Sequence, residues 1–158
     1  MPQTLNGKRQ TNDAASYAAD VGQCRMALGN YNFTADTGAQ AVYTVFTVTG
    51  DVLVQVAGLC QVALTTGGGG ATIELGISGN TAALIAQTTA TDLDQYETWQ
   101  DATPEANPGA VDLTGRTFVI ANGADVILTI ATADLTAGDI DFVCRWLPIS
   151  TDGKVVAA

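Results

Sequence analysis

The chain has 158 residues, of which 47% are hydrophobic and only 14% are charged, and its formal net charge at pH 7 is −10. Its six basic residues are dispersed and form no basic patch, so we expect no nucleic-acid partner. Histidine is absent, and neither a paired nucleophile nor a cofactor motif is present, so we expect neither an enzyme nor a bound cofactor.

Residues 1–30 are predicted to form an N-terminal arm. Met1–Asp13 reads as extended chain, and Ala14–Val21 reads as a short helix that Gly22 ends. The segment lacks the continuous apolar core of a signal peptide. We therefore expect a soluble protein that is made in the cytoplasm and has no membrane partner.

Residues 31–158 are predicted to form a single β-domain, which begins with two strands. Ala41–Thr49 alternates β-branched and aromatic residues with period two, and Gly50-Asp51 predicts a hairpin turn into Val52. Val52–Leu64 is long for one strand, so a bulge or bend is expected at Gly58.

A second hairpin is predicted further along the chain. Ala71–Ser78 places Ile73, Leu75 and Ile77 on one face, and Gly79-Asn80 turns this strand into Thr81–Gln87. The preceding run of four glycines, Gly67–Gly70, is expected to be a loop tip, because no P-loop lysine follows it.

The period-two alternation that is typical of strands is missing between Thr88 and Thr114. Its absence predicts a long loop with a short strand over Tyr96–Gln100. Long loops in compact domains often carry function, and exposed aromatic residues often mark contact surfaces. Tyr96 and Trp99 are therefore the first candidates for contact with a partner.

The last predicted strands follow this loop. Asn122-Gly123 predicts a hairpin between Arg116–Ala121 and Asp125–Thr132. The final strand, Ile140–Leu147, has its apolar residues on one face, where core packing is expected for Trp146.

The three cysteines, Cys24, Cys60 and Cys144, fit neither a disulfide framework nor a metal motif, so free thiols are expected.

These elements amount to seven or eight short strands spaced about ten residues apart, with no helical stretch between them. This spacing is typical of an antiparallel β-sandwich. We therefore predict an all-β, jelly-roll-like sandwich with an N-terminal arm.

One group of acidic residues is a candidate cation site. Asp92, Asp94 and Glu97 could contribute carboxylate oxygens to Ca²⁺, but glycine and glutamate are missing from the sixth and twelfth positions of an EF-hand loop. The alternative is a solvated acidic loop, and these residues stand only as candidate metal ligands.

Three segments carry a resemblance to a known class of protein. They are GNYNFTADTGAQAVYTV, ATIELGISGNTAALIAQTTATDLD and IANGADVILTIATADLTAGDIDFVCRWLPIS. Together they resemble the head decoration, or cement, proteins of tailed bacteriophages, and the likeness spans residues 29–158.

The resemblance implies a trimeric β-sandwich that binds the major capsid protein on the outer face of the capsid and clamps its subunits where they meet. The sequence predicts an N-terminal arm and a long loop outside the regular strands. Together with the resemblance, this makes the arm and the long loop the expected contact regions. The predicted partner-binding residues are Leu5, Tyr17, Tyr96 and Trp99. An alternative from another class is a tail-fibre or carbohydrate-binding module that stacks sugars on Tyr96 and Trp99.

Overall fold

The structure is a computed structural model that describes residues 24–106 and 116–158. These two ranges contain ten strands, one helical turn and one 3₁₀ turn. In chain order they are β1 (Arg25–Asn32), α1 (Phe33–Asp36), β2 (Val42–Thr49), β3 (Val52–Thr66), β4 (Thr72–Ile77), β5 (Asn80–Thr89), the 3₁₀ turn (Ala90–Asp92), β6 (Thr98–Trp99), β7 (Phe118–Ile120), β8 (Val126–Ala131), β9 (Leu135–Pro148) and β10 (Lys154–Ala157).

The strands form two five-stranded sheets in which every pairing is antiparallel. The first sheet has the order β1-β9-β3, and both β6 and β7 pair with the far edge of β3. The second sheet has the order β10-β2-β8-β4-β5. The predicted all-β antiparallel sandwich is therefore confirmed.

The hydrophobic core lies between the inner faces of the two sheets. Strand β9 shows how the period of two builds it, because Ile140, Phe142 and Cys144 are fully buried while the intervening residues point outward. Trp146 continues the same inner row, as predicted. The second sheet contributes Phe46, Ile73 and other hydrophobic residues from the opposite side.

The sandwich begins earlier in the sequence than predicted. Residues 25–30, which were assigned to the arm, lie in β1, where Arg25 is opposite Trp146 and Asn32 is opposite Asp139. The predicted helix over Ala14–Val21 falls outside the described residues, as does the rest of the chain before Cys24.

Two predicted hairpins are wrong, and both fail in the same way. Strands β2 and β3 follow one another through Gly50-Asp51, yet they belong to different sheets. Strands β7 and β8, on either side of Asn122-Gly123, are also in different sheets. Both turns therefore cross from one layer of the sandwich to the other, because the neighbours of each strand are supplied by distant parts of the chain.

Other local predictions have mixed outcomes. The β4–β5 hairpin is confirmed, with Ile77 opposite Asn80. Strand β3 runs unbroken through Gly58, and its register shifts only beyond Cys60. The register also shifts in β2, so that Val45 and Phe46 are both buried and the strict alternation predicted there fails.

No helix in the described ranges is long and apolar enough to cross a membrane.

Candidate functional site

Tyr96 lies at the tip of a turn that is fastened to β3. Its N–H donates to the carbonyl oxygen of Cys60 at 2.7 Å, and the N–H of Cys60 donates to the carbonyl oxygen of Glu97 at 2.9 Å. Tyr96 has a φ of +67° and its side chain is 58% exposed. The sheet thus holds this aromatic residue at the surface, and its role as a contact residue stays a prediction.

Trp99 is a core residue, and its prediction as a surface anchor is wrong. Its side chain is fully buried, and its ring packs against Phe142 with centroids 6.3 Å apart. The indole Nε1–H donates to Oγ1 of Thr88 at 2.9 Å, so its polar group is satisfied inside the protein. A sugar-stacking platform built from Tyr96 and Trp99 together is therefore not formed.

The residue paired with Trp99 in the neighbouring strand is a glycine. Trp99 lies opposite Gly58 in the pairing of β6 with β3. A Cβ at Gly58 would lie 3.1 Å from Cγ2 of Ile140 and 3.5 Å from Cε3 of Trp99. A side chain at this position would press on Ile140 and make ordinary contact with the indole ring. No local pattern in the sequence pairs Gly58 with Trp99.

Leu5 and Tyr17, the other two predicted contact residues, lie outside the described residues. Their contribution to binding stays a prediction.

The acidic residues do not converge on a cation site. Oε2 of Glu97 accepts a hydrogen bond from the N–H of Asp94 at 2.9 Å, which turns this carboxylate back onto its own loop. Within the two described ranges no group of three or more Asp, Glu or Cys side chains is arranged to hold a metal ion. Asp92, Asp94 and Glu97 therefore do not form a metal site in this structure.

The outer face of the first sheet carries an apolar surface that the sequence analysis missed. Met26 and Leu28 of β1 are 65% and 60% exposed, and Leu28 lies opposite Val143 on β9, which in turn lies opposite Ala57 on β3. Val119 on β7 is 63% exposed. Met26 and Leu28 are two positions apart in the sequence, as large apolar residues on one face of a strand are. The sequence analysis nevertheless predicted that both residues belong to the arm.

The same outer face becomes polar toward the other end of β9, where Asn30 links two carboxylates. Its Nδ2 donates to Asp139 at 2.7 Å and to Asp141 at 2.9 Å. Asn32 also donates to Asp139, and Gln61 donates to Asp141, each at 2.8 Å. One sheet face therefore has an apolar region next to a hydrogen-bonded acidic region.

The two buried thiols are unreactive at neutral pH. Burial raises the pKa of Cys60 and of Cys144 to about 12, and nearby Glu97 and Asp94 add to the effect at Cys60. The thiolate is the nucleophilic form of cysteine, so neither residue can act as a nucleophile near pH 7. The third thiol, Cys24, is exposed.

Comparison with known proteins shows a likeness of fold. No protein-family model matches the chain, and no curated protein matches it. Among solved structures, it is similar to a chain in the acidic stable capsid structure of Helicobacter pylori bacteriophage KHP30. The TM-score is 0.52 and the identity 12%, and the alignment covers 85% of this chain and 94% of that chain. At this level of identity, the comparison shows a shared fold.

Proposed function

We propose that this protein is a structural component of a bacteriophage virion that decorates the capsid and stabilises it. The observation that carries the proposal is the fold shared with a chain of a phage capsid structure over 94% of that chain's length. The alignment covers 85% of this chain, so the proposal concerns the domain as a unit.

The proposed binding site on the capsid is the junction between major capsid protein subunits on the outer surface. A decorating protein acts through many identical contacts, so each contact can be modest in area while the particle as a whole is held firmly. A stable sandwich that presents exposed apolar and aromatic residues at fixed positions suits this role. Tyr96 and the outer face of the first sheet are such positions.

The finer features of the proposal concern the contact segments and the oligomer. We assign the contacts with capsid protein to the N-terminal arm, through Leu5 and Tyr17, and to the long loop, through Tyr96. Trp99 has no part in this assignment because it is buried. The proposed oligomer is a trimer, which would present three arms and three loops at one junction and so multiply a weak contact.

The direct test is binding to expanded capsids of the phage that encodes the protein, prepared without it. We expect the full chain to sediment with these particles and to raise the temperature at which they release their contents. Deletion of Met1–Asp13 should raise the dissociation constant for the particles by at least about tenfold, equivalent to about 1.4 kcal/mol per site, and so lower occupancy, with an unchanged melting temperature of the free protein.

Point variants separate the loop from the rest of the surface. Tyr96→Ala should also lower occupancy, whereas Val156→Ala, a change at an exposed residue of β10, serves as the matched control and should not. Failure of the full chain to bind particles would overturn the proposed function. Full occupancy by the deletion variant would overturn only the role of the arm.

A further inference from the structure

Within residues 24–106 and 116–158, strand β1 forms an edge of the first sheet that lacks the usual protection. Among the residues that the structure describes, it pairs only with β9, and the register is unbroken over its eight residues. It contains no proline, and its single charged residue, Arg25, lies at its start. Natural proteins usually blunt sheet edges with short strands, bulges, charges or prolines, because an open edge pairs with other chains.

The other sheet edges show such protection. Strands β6 and β7 are two and three residues long, and β10 has four residues and begins with Lys154. Strand β5 is longer, but its register with β4 shifts twice. Among the strands described, β1 is therefore the edge best suited to pair with another strand.

One hydrogen bond shows which backbone groups of β1 face outward. The N–H of Asn32 donates to Oδ2 of Asp36 at 2.8 Å, away from β9. Backbone direction alternates along a strand, so Met26, Leu28 and Asn30 also direct their N–H and C=O groups away from β9. No backbone hydrogen bond joins this side of β1 to another described strand.

We propose that β1 pairs antiparallel with β1 of a second copy of the chain, about a two-fold axis that passes beside Leu28. In this register Leu28 lies opposite Leu28 of the partner copy, and Met26 lies opposite the partner copy's Asn30. The outward backbone groups then exchange hydrogen bonds at each of these pairs. The first sheets of the two copies become one continuous sheet.

Charge complementarity favours a second copy as the occupant of this edge. Arg145 on β9 lies at one end of the outer face, and Arg25 is at the same end of the strand pair with its guanidinium over the ring of Trp146. Asp141 and Asp139 lie at the other end, next to Asn30 and Asn32. Asp36 is also at the acidic end, against Asn32. An antiparallel two-fold pairing brings the basic end of each copy beside the acidic end of the other.

Apolar contacts favour the same register. On the outer face, Val143 and Leu28 of one copy continue into Leu28 and Val143 of the other. Cross-strand apolar pairs of this kind stabilise an antiparallel sheet. The pairing covers Met26 and Leu28, the two large apolar side chains of β1, which are the most exposed on this edge. Their apolar surface is thereby removed from water.

This inference does not rest on the proposed function, because it concerns association of the chain with itself. In a trimeric decorating protein the two-fold contact would join copies from neighbouring trimers. The occupant is a second β1 strand in either case.

The first test introduces lysine at the edge and measures association by sedimentation equilibrium up to about 1 mM protein, the range of weak contacts. We expect Met26→Lys/Leu28→Lys to raise the dissociation constant of the two-fold contact by at least about tenfold. Val119→Lys is the matched control, because Val119 is equally exposed on the same sheet but on β7. It should leave the constant unchanged. A wild-type chain that shows no two-fold association, or equal effects of both variants, would overturn the inference.

The second test measures the register by disulfide formation in a Cys24→Ser background. Leu28→Cys places two thiols on directly opposed residues, whose Cα atoms are about 5.5 Å apart in such a pair and within disulfide range. Met26→Cys is the control, because its partner across the axis is Asn30. We expect rapid cross-linking of the first variant and little of the second. Equal cross-linking of both, or none, would rule out pairing centred on Leu28.

Discussion

At the scale of single residues, Trp99 illustrates why exposure is difficult to infer from local sequence. It lies in a segment rich in acids and prolines, which predicts a solvated loop. In the structure the two-residue strand β6 adds to β3 and directs the indole into the core. The residue paired with it, Gly58, is 41 positions earlier in the chain, so the local pattern carries no sign of this burial.

The Trp99–Thr88 hydrogen bond leads to a stability prediction. Thr88→Val keeps the shape of the side chain but removes the acceptor, which leaves the indole N–H buried without a partner. We expect the free energy of unfolding to fall by about 1–3 kcal/mol, measured by urea denaturation. The control is Thr47→Val, at an exposed position of β2. A loss no greater than that of the control would show that the bond contributes nothing.

At the scale of elements, the turns show what local chemistry does and does not specify. Gly50, Asn122 and Gly123 all have positive φ, as glycine and asparagine readily allow. The positions of these turns were therefore predictable from sequence. Their role as links between two sheets was not, because the same turn can join paired strands or strands in separate layers.

The two crossing turns are joined to each other by hydrogen bonds. The N–H of Gly123 donates to the carbonyl oxygen of Gly50 at 2.9 Å, and the N–H of Asn122 donates to Oδ1 of Asp51, also at 2.9 Å. The backbone carbonyl of Asp51 accepts from Ile149 at 2.8 Å. Asp51 thus connects three chain segments at one end of the sandwich.

This connection predicts that Asp51→Ala destabilises the fold. Removing the carboxylate acceptor should lower the free energy of unfolding by about 1 kcal/mol, measured by chemical denaturation. Asp92→Ala removes an equal charge from an exposed position that forms no hydrogen bond with the described residues, and it should change stability by less than about 0.5 kcal/mol. Equal effects would mean that net charge, and not the turn contact, determines the result.

At the scale of the whole molecule, the buried ionisable groups predict how stability depends on pH. Burial raises the pKa of Cys60 and Cys144 from the ordinary value of 9.0 to about 12, and burial also raises the pKa of Tyr31. The folded chain keeps these protons at pH values where the unfolded chain releases them. The stabilisation is therefore complete below about pH 9 and decreases as pH rises toward 12.

The measurement is the melting temperature between pH 8 and pH 11, followed by circular dichroism. We expect a steady decrease above about pH 9 in the wild-type chain. The Cys60→Ala/Cys144→Ala variant starts from a lower melting temperature, because two core side chains are shortened, but it should lose less with rising pH. A decrease of the same size in both proteins would show that the thiols are not its cause.

The sequence by itself determined the fold class, the inward row of β9 and the β4–β5 hairpin. Each of these follows from a period of two or from a turn between adjacent strands, which are properties of short segments. The tertiary structure decided which strands pair, that Trp99 is buried while Tyr96 is exposed, and that Met26 and Leu28 lie on an open edge. Those outcomes depend on contacts between residues far apart in the chain, which no local pattern encodes.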